Sequence, residues 1–161
     1  MTKPFPDISE IFSYEYLGDK PEKGGHQIKI KHEELKAILE FFYRDSRFWC
    51  DYLISISGQH KTGTPEQIGL HYHLKSITTG IEIHIESWKE IQSHERCSFE
   101  SVVDLWKTAN WHERETSELY GIDFIGHPDQ RNLLLPSNWK GFPLRKNYVE
   151  QEIFHGIKVK F

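Results

Sequence analysis

The chain has 161 residues, which is enough for one folded domain with a hydrophobic core of its own. Hydrophobic residues make up 37% and charged residues 27%, as is ordinary for a soluble globular protein. The net charge of -4 argues against a dedicated nucleic-acid surface, which usually needs a clustered basic excess.

The N-terminus does not have the pattern of a targeting or membrane segment. Pro4, Pro6 and Asp7 occupy the region where a signal peptide has its apolar core, and no apolar run approaches the length of a bilayer crossing. We therefore expect the chain to stay in the cytoplasm.

The sequence also lacks the ligand patterns that bind common cofactors. Cys50 and Cys97 stand alone, whereas iron–sulfur clusters and structural zinc usually take four close ligands. A disulfide between the two is not expected in a reducing compartment. The sequence has no Gly-x-Gly-x-x-Gly turn and no phosphate loop, so we expect no cofactor in this chain.

The first elements in chain order are a helix, a turn and a strand. Residues 8–17 carry apolar side chains at helical spacing, which predicts a short helix at the domain edge. Residues 19–25 contain Pro21 and two consecutive glycines and predict a turn. Residues 26–31 alternate isoleucine with lysine, as a half-exposed strand does.

An amphipathic helix and a strand follow. Residues 33–45 predict the helix, and residues 49–57 predict the strand, followed by a solvent loop over 58–66. The inward positions of the helix are Leu35, Ile38, Leu39 and Phe42. The strand is expected to place Cys50, Tyr52, Ile54 and Ile56 on one face.

Residues 68–77 and 81–88 alternate in polarity around Thr78-Thr79-Gly80 and predict a β-hairpin. Its core face would carry Leu70, Tyr72, Leu74, Ile81, Ile83 and Ile85. Its outer face would carry His71, His73, His84, Lys75, Glu82 and Glu86.

Three histidines beside glutamates raise the alternative of a metal site on this outer face. The interpretation that we favour is a polar face on which histidine and glutamate pair across strands. No nearby residue clearly supplies the rigid outer shell that metal ligands usually have, so no metal ligand is assigned.

Beyond the hairpin, residues 87–97 look polar and irregular. Phe99, Val102, Val103 and Trp106 then mark a short helix, which leads through a kink at 108–110 into a second helix.

The second helix is the most highly charged part of the chain. Asn110 is a candidate N-cap, Glu113 stands where a reciprocal capping bond is possible, and Gly121 can end the helix in a left-handed conformation. A single stripe is expected to carry Trp111, Glu115, Glu118 and Ile122, with Arg114 at its edge. Buried carboxylates need cations or donors, and Arg114 can serve one of them.

After this helix, Gly126 and the two prolines Pro128 and Pro136 predict a shaped loop that carries Arg131. The fold is expected to be α+β, a single domain with a mixed sheet of about four or five strands packed against helices. Residues 1–135 would form this domain, and residues 136–161 an extended arm lying on a partner.

The second helix, its loop and the arm together carry a distinctive order of residues: Glu113, Arg114, Glu115, Glu118, Gly126, His127, Pro128, Asp129, Arg131, Leu133, Leu134, Trp139, Gly141, Pro143, Leu144, Arg145 and Lys146. This order resembles the signature of the C subunit of the proton-pumping NADH-quinone oxidoreductase, the thirty-kilodalton subunit of respiratory complex I. The usual aspartate and the two residues after it are Glu118, Leu119 and Tyr120 here, which are conservative changes.

The resemblance implies a non-catalytic subunit in the hydrophilic arm of that complex, on the cytoplasmic side of the inner membrane. It would bind the large D subunit, with the B subunit nearby, and would meet the membrane only through the complex. FMN, iron–sulfur clusters and quinone would belong to other subunits. The residues expected at the partner interface are Glu113, Arg114, Glu115, Glu118, His127, Pro128, Asp129, Arg131, Arg145 and Lys146.

Two alternatives remain open. Related subunits also resemble parts of membrane-bound hydrogenases, coenzyme F420-dependent dehydrogenases and ferredoxin-fed complexes. More remotely, Glu115 and His127 could act as acid and base in an independent enzyme, although no nucleophile elbow, metal ligand set or phosphate cradle accompanies them.

Overall fold

The computed structural model describes residues 5, 7–20, 25–92, 95–154 and 156–158. The N-terminal prolines, most of the predicted turn over 19–25 and the last three residues of the predicted arm lie outside the described residues. The helices and strands are β1 Tyr14–Lys20, β2 Gly25–Lys31, α1 Leu35–Arg44, β3 Tyr52–Lys61, β4 Glu66–Lys75, β5 Glu82–Ile91, β6 Cys97–Glu100, α2 Ala109–Tyr120, β7 Ile122–Ile125, β8 Ile153–Phe154 and β9 Ile157–Lys158.

A five-stranded sheet with the order β1-β2-β5-β4-β3 organises the molecule. Strands β2 and β5 run parallel, and the other neighbours are antiparallel, so the sheet is mixed. Two small sheets, β6-β7 and β8-β9, complete the strands. The predicted α+β class, the mixed sheet and the hairpin of β4 and β5 are confirmed.

The core lies between one face of this sheet and α1. Every predicted inward position of α1 is buried, and so are the hairpin positions Leu70, Tyr72, Leu74, Ile83 and Ile85. Apolar residues at period 3.6 in the helix and period 2 in the strands therefore meet in one cluster, as the patterns predict.

Helix α2 lies against β3 at a position where only a glycine fits. A Cβ atom on Gly58 would be 2.4 Å from the ring of Tyr120 and 2.9 Å from Thr116. The helix ends at Gly121, which has φ 71° and ψ 51°, as predicted. A Cβ there would also collide with the ring of Phe142, at 2.6 Å.

The helix predicted over 8–17 is wrong. One turn forms, in which Phe12 and Ile11 donate backbone N–H groups to the carbonyl of Ile8, and β1 begins at Tyr14. The helical spacing of apolar residues over 8–17 does not decide the conformation, because β1 pairs with β2 and supplies hydrogen-bond partners to the backbone groups at the edge of β2.

The strand predicted over 49–57 begins at Tyr52 instead and continues through the predicted loop to Lys61. A register shift between Leu53 and Ser55 changes its alternation. Leu53 and Ile56 are consequently buried, whereas Tyr52 is half exposed.

The region between the hairpin and α2 also differs from its prediction. Strand β5 extends to Ile91 within the segment expected to be irregular. Phe99 belongs to β6 and faces Phe124 of β7, so it is not part of a helix. Val102 starts a single turn, in which its carbonyl accepts the N–H groups of Leu105 and Trp106.

Candidate functional site

Helix α2 starts earlier than the capping pattern suggests, and its acidic residues face other partners. Thr108 precedes its first residue with φ -63° and ψ -26° and makes no side-chain cap. Asn110 is therefore inside the helix, and the predicted capping box with Glu113 is wrong. Two residues of the predicted stripe, Trp111 and Glu115, are exposed.

Glu113 is fully buried and ties α2 to the segment that follows β6. Its carboxylate accepts the hydroxyl of Ser101 at 2.7 Å and the backbone N–H of Val102 at 2.7 Å. Burial raises the pKa of Glu113 to about 7, although these two hydrogen bonds lower it.

This buried carboxyl predicts a pH dependence of stability. Between pH 4.5 and about 7 the folded chain holds a proton on Glu113 that the unfolded chain has released, so stability falls as pH rises through this window. The effect of Glu113 is expected to be about 3 kcal/mol. Urea unfolding at several pH values across this window gives the free energy of unfolding as a function of pH. This free energy should depend less on pH for Glu113→Gln than for the parent, while the exposed control Glu115→Gln should keep the parental dependence. Parallel profiles for Glu113→Gln and the parent would contradict this assignment.

Glu118 holds the loop that follows β7. Its two carboxylate oxygens accept the backbone N–H groups of Leu133 at 2.9 Å, Leu134 at 2.8 Å and Leu135 at 3.1 Å. Three consecutive amides thus converge on one charged acceptor, an arrangement that fixes the path of the loop along the helix.

Arg114 holds the same loop one turn earlier in α2. Its guanidinium donates to the carbonyls of Arg131 at 3.0 Å and Asn132 at 3.3 Å and lies 3.5 Å from Asp129. The sequence suggested that Arg114 would pair with a buried carboxylate of its own helix. Its partners in the structure instead lie in the loop. Arg114 and Glu118 together bind acceptors and donors of one backbone segment.

His127 is buried inside the loop with both ring nitrogens engaged. Nδ1 accepts the N–H of Asp129 at 3.0 Å, so Nε2 carries the proton and donates to the carbonyl of Asn110 at 3.1 Å. Its Nε2 is also 4.0 Å from Glu113. Because its acceptor nitrogen is occupied, the His127 ring orders the loop. It is therefore not placed to act as the base in an acid–base pair with Glu115.

The tip of the loop is an Asp–Arg turn. Arg131 donates side-chain and backbone hydrogen bonds to Asp129, which hold the pKa of that carboxyl well below its usual range. The Arg131 side chain is 84% exposed, and Pro128 is also exposed. A positive charge is thus presented to the outside on an ordered turn.

Arg145 closes the opposite end of α2. Its guanidinium donates to the carbonyls of Tyr120 at 2.7 Å and Glu95 at 2.6 Å and lies 4.6 Å from the ring of Phe142. Cations are favoured at a helix C-terminus, and burial lowers the pKa of this arginine. The neighbouring Lys146 has an exposed side chain, while its backbone N–H binds Nδ1 of His60 at 2.8 Å.

The predicted interface residues therefore form two groups. Those whose charged or polar atoms are engaged within the chain are Glu113, Arg114, Glu118, His127, Asp129 and Arg145. Those with exposed side chains are Glu115, Pro128, Arg131 and Lys146. Arg131 belongs to both groups, because its exposed guanidinium also donates to Asp129.

Two large apolar side chains accompany the group with exposed side chains. Trp111 is 65% exposed on α2, one turn before Arg114, and Leu134 is 63% exposed on the loop that Glu118 holds. Sequence reasoning assigned Trp111 to a buried stripe, because a tryptophan at helical spacing resembles a core residue. Exposed aromatic and aliphatic side chains of this kind are the anchors that protein interfaces favour.

No helix in the described parts of the chain combines the length and apolar character needed to cross a bilayer.

Comparisons with known proteins bear on this same region. The family profile described as respiratory-chain NADH dehydrogenase, 30 Kd subunit, matches residues 28–153. The C subunit of NADH-quinone oxidoreductase from Chloroherpeton thalassium is 41% identical over 127 residues, which are 78% of this chain and 51% of that protein. The chain spans about half the length of the first curated relatives that it matches.

A fused relative and a solved structure extend the comparison. The fused C/D subunit of NADH-quinone oxidoreductase from Bacteroides thetaiotaomicron is 39% identical over 105 residues, which are 60% of this chain and 19% of that protein. A chain of the membrane-bound sulfane sulfur reductase, an archaeal respiratory membrane complex, superposes with a TM-score of 0.61. It covers 83% of this chain and 71% of that chain at 14% identity, and it supports the fold. From the profile match over most of its length, this chain belongs to the family of the 30 kDa subunit of respiratory-chain NADH dehydrogenase.

Proposed function

We propose that this chain is the non-catalytic C subunit of a proton-translocating NADH-quinone oxidoreductase and that it binds the large D subunit. The observation that carries the proposal is the existence of fused C/D relatives, in Bacteroides thetaiotaomicron and Phocaeicola vulgatus. A fusion holds two partners at high effective concentration, and it is productive when they sit side by side.

The binding surface is the outward face of α2 and of the loop along it. Trp111 and Leu134 supply apolar anchors, and Arg131 and Glu115 supply charges around them. Interfaces concentrate their binding energy in a few such aromatic, aliphatic and arginine side chains. We propose this face as the contact with the D subunit, with the B subunit nearby.

The engaged charges prepare this surface before the partner arrives. Glu118 and Arg114 fix the loop on α2, and Glu113 fixes α2 on the core. An ordered loop loses less conformational entropy on binding than a mobile one does. These residues would act on assembly through the shape of the surface, and the exposed residues would touch the partner.

In this account the chain performs no chemistry. FMN, the iron–sulfur clusters and quinone would be bound by other subunits, and this chain would lie in the hydrophilic arm on the cytoplasmic side of the inner membrane. NADH is the donor named for the matching relatives, which favours it over the donors of hydrogenase-like, F420-dependent or ferredoxin-fed complexes.

A charge placed in the apolar centre of the surface tests the proposal. In cells that depend on a plasmid copy of this chain, Leu134→Asp is expected to lower the amount of assembled complex at least about tenfold, because a buried unpaired carboxylate opposes binding. The matched control is Ile77→Asp, since Ile77 is equally exposed, at 63%, in the β4–β5 turn. Native gels of solubilised membranes give the yield, and circular dichroism of each purified chain gives the fold. Equal yields from the two variants would contradict the proposed surface.

A further inference from the structure

The outer face of the five-stranded sheet carries a second polar cluster, apart from α2 and its loop. His73 of β4 lies directly opposite His84 of β5, and Lys75 lies opposite Glu82 in the next same-face pair. These side chains point away from the core, because Tyr72, Leu74 and Ile83 occupy the alternate positions. The antiparallel register therefore gathers two imidazoles and one carboxylate at one place.

The ligand atoms of this cluster already lie close together. One nitrogen from each of His73 and His84 and one oxygen of Glu82 are all within 4.8 Å of one another. The two imidazole rings stack with their centroids 3.9 Å apart, and Nε2 of His73 is 3.2 Å from Oε2 of Glu82. Ligand atoms around tetrahedral zinc are about 3.3 Å apart, so side-chain shifts of up to about 1.5 Å would bring the three ligand atoms to that spacing.

The surroundings hold the carboxylate in a useful orientation. Lys75 donates to Oε1 of Glu82 at 2.5 Å, so Oε2 is the oxygen that faces His73. Outer hydrogen bonds of this kind orient metal ligands in proteins. Sequence alone placed these residues on one face and favoured cross-strand pairing, but it could not show that their ligand atoms converge.

The two histidines of the cluster line a cleft of about 440 Å³, together with Ser55 and Ser57 of β3, whereas Glu82 is not part of its lining. This cleft leaves room for an ion and further ligands beside the histidines. The side chains of His73 and Glu82 are 25% and 16% exposed, so they are partly shielded from solvent but can still be reached by an ion. Two histidines with one glutamate form a donor set that catalytic zinc sites use, with one coordination position left open.

We propose that His73, Glu82 and His84 form a binding site for a divalent transition-metal ion of the zinc type. The ion would bridge β4 and β5 across the sheet, with its remaining position open to the cleft. This proposal does not rest on the proposed contact with the D subunit, since the cluster lies on β4 and β5 and outside α2 and its loop.

The test uses the full chain without a histidine tag, stripped of metal with a chelator and titrated with ZnCl₂ in a calorimeter. The expected result is one Zn²⁺ per chain, with affinity lowered at least about tenfold by His73→Gln and by His84→Gln. The matched control is His32→Gln, because His32 also lies near a glutamate, Glu33 at 3.2 Å, but outside the cluster. Circular dichroism verifies that each variant is folded.

Two further measurements keep the test decisive if a histidine variant fails to fold. Glu82→Gln keeps the size of the side chain but removes the charged ligand, and it should also weaken Zn²⁺ binding about tenfold or more. Affinity should fall from about pH 7.5 to about pH 5.5, because imidazole must lose its proton to bind a metal. Absence of saturable Zn²⁺ binding, or binding that the cluster variants leave unchanged, would overturn the proposal.

Discussion

Replacing Glu118 by alanine is expected to destabilise the chain by about 3 kcal/mol, measured by urea unfolding. The carboxylate accepts three consecutive backbone N–H groups, from Leu133 to Leu135, and hydrogen bonds to charged groups are the stronger ones. Water can replace some of these bonds, because Leu134 is exposed, so the loss is smaller than three full bonds. Hydrogen exchange at 133–135 should accelerate together with the loss of stability.

Glu115→Ala is the matched control for this prediction. Glu115 is an exposed glutamate in the same helix, and its replacement should change stability by no more than about 0.5 kcal/mol. The Glu118 variant should also assemble poorly, since the loop that carries Leu134 is released. Equal unfolding midpoints for the two alanine variants would show that Glu118 does not anchor the loop.

Replacing Arg145 by methionine is expected to cost a similar amount, about 3 kcal/mol. The side chain is buried, and its loss would leave the carbonyls of Tyr120 and Glu95 without this donor. The favourable charge at the C-terminus of α2 would also be lost. One amino group, Nη1, has no hydrogen-bond partner among the described residues, which keeps the expected cost moderate.

Lys146→Met is the control for Arg145→Met, because it removes the adjacent charge from an exposed side chain. Urea unfolding gives the difference in stability, and limited proteolysis should cut the segment around 140–148 faster only in the Arg145 variant. A Lys146 variant as unstable as the Arg145 variant would assign the effect to net charge rather than to the closed end of α2.

The periodic elements could be predicted from the sequence because burial decides them. The apolar stripe of α1 and the alternation in β4 and β5 carry their own signal, and the structure follows it. The segments 8–17 and 99–106 could not be assigned correctly, because their conformation depends on backbone partners elsewhere. β1 satisfies the edge of β2, and β6 pairs with β7.

In the candidate site, the sequence likewise indicates which residues matter but not which groups they contact. Resemblance to a known family identified Glu113 and Glu118 as important, but it could not identify what they bind. Glu118 accepts hydrogen bonds from three main-chain N–H groups. Every residue except proline has such a group, so the sequence does not show which ones Glu118 binds. The sequence pattern assigns Glu113 to a capping box because it places the N-cap at Asn110, whereas the residue that precedes α2 is Thr108.

We propose that the surface of α2 and its loop that carries Trp111 and Leu134 meets the large D subunit. The most direct test incorporates a photocrosslinking phenylalanine derivative at position 134, with position 77 as the equally exposed control, in cells that assemble the complex. After irradiation of membranes, we expect a crosslinked product containing the D subunit from position 134 and none from position 77. Crosslinking to the D subunit from position 77 alone, or from neither position in fully assembled complex, would contradict it.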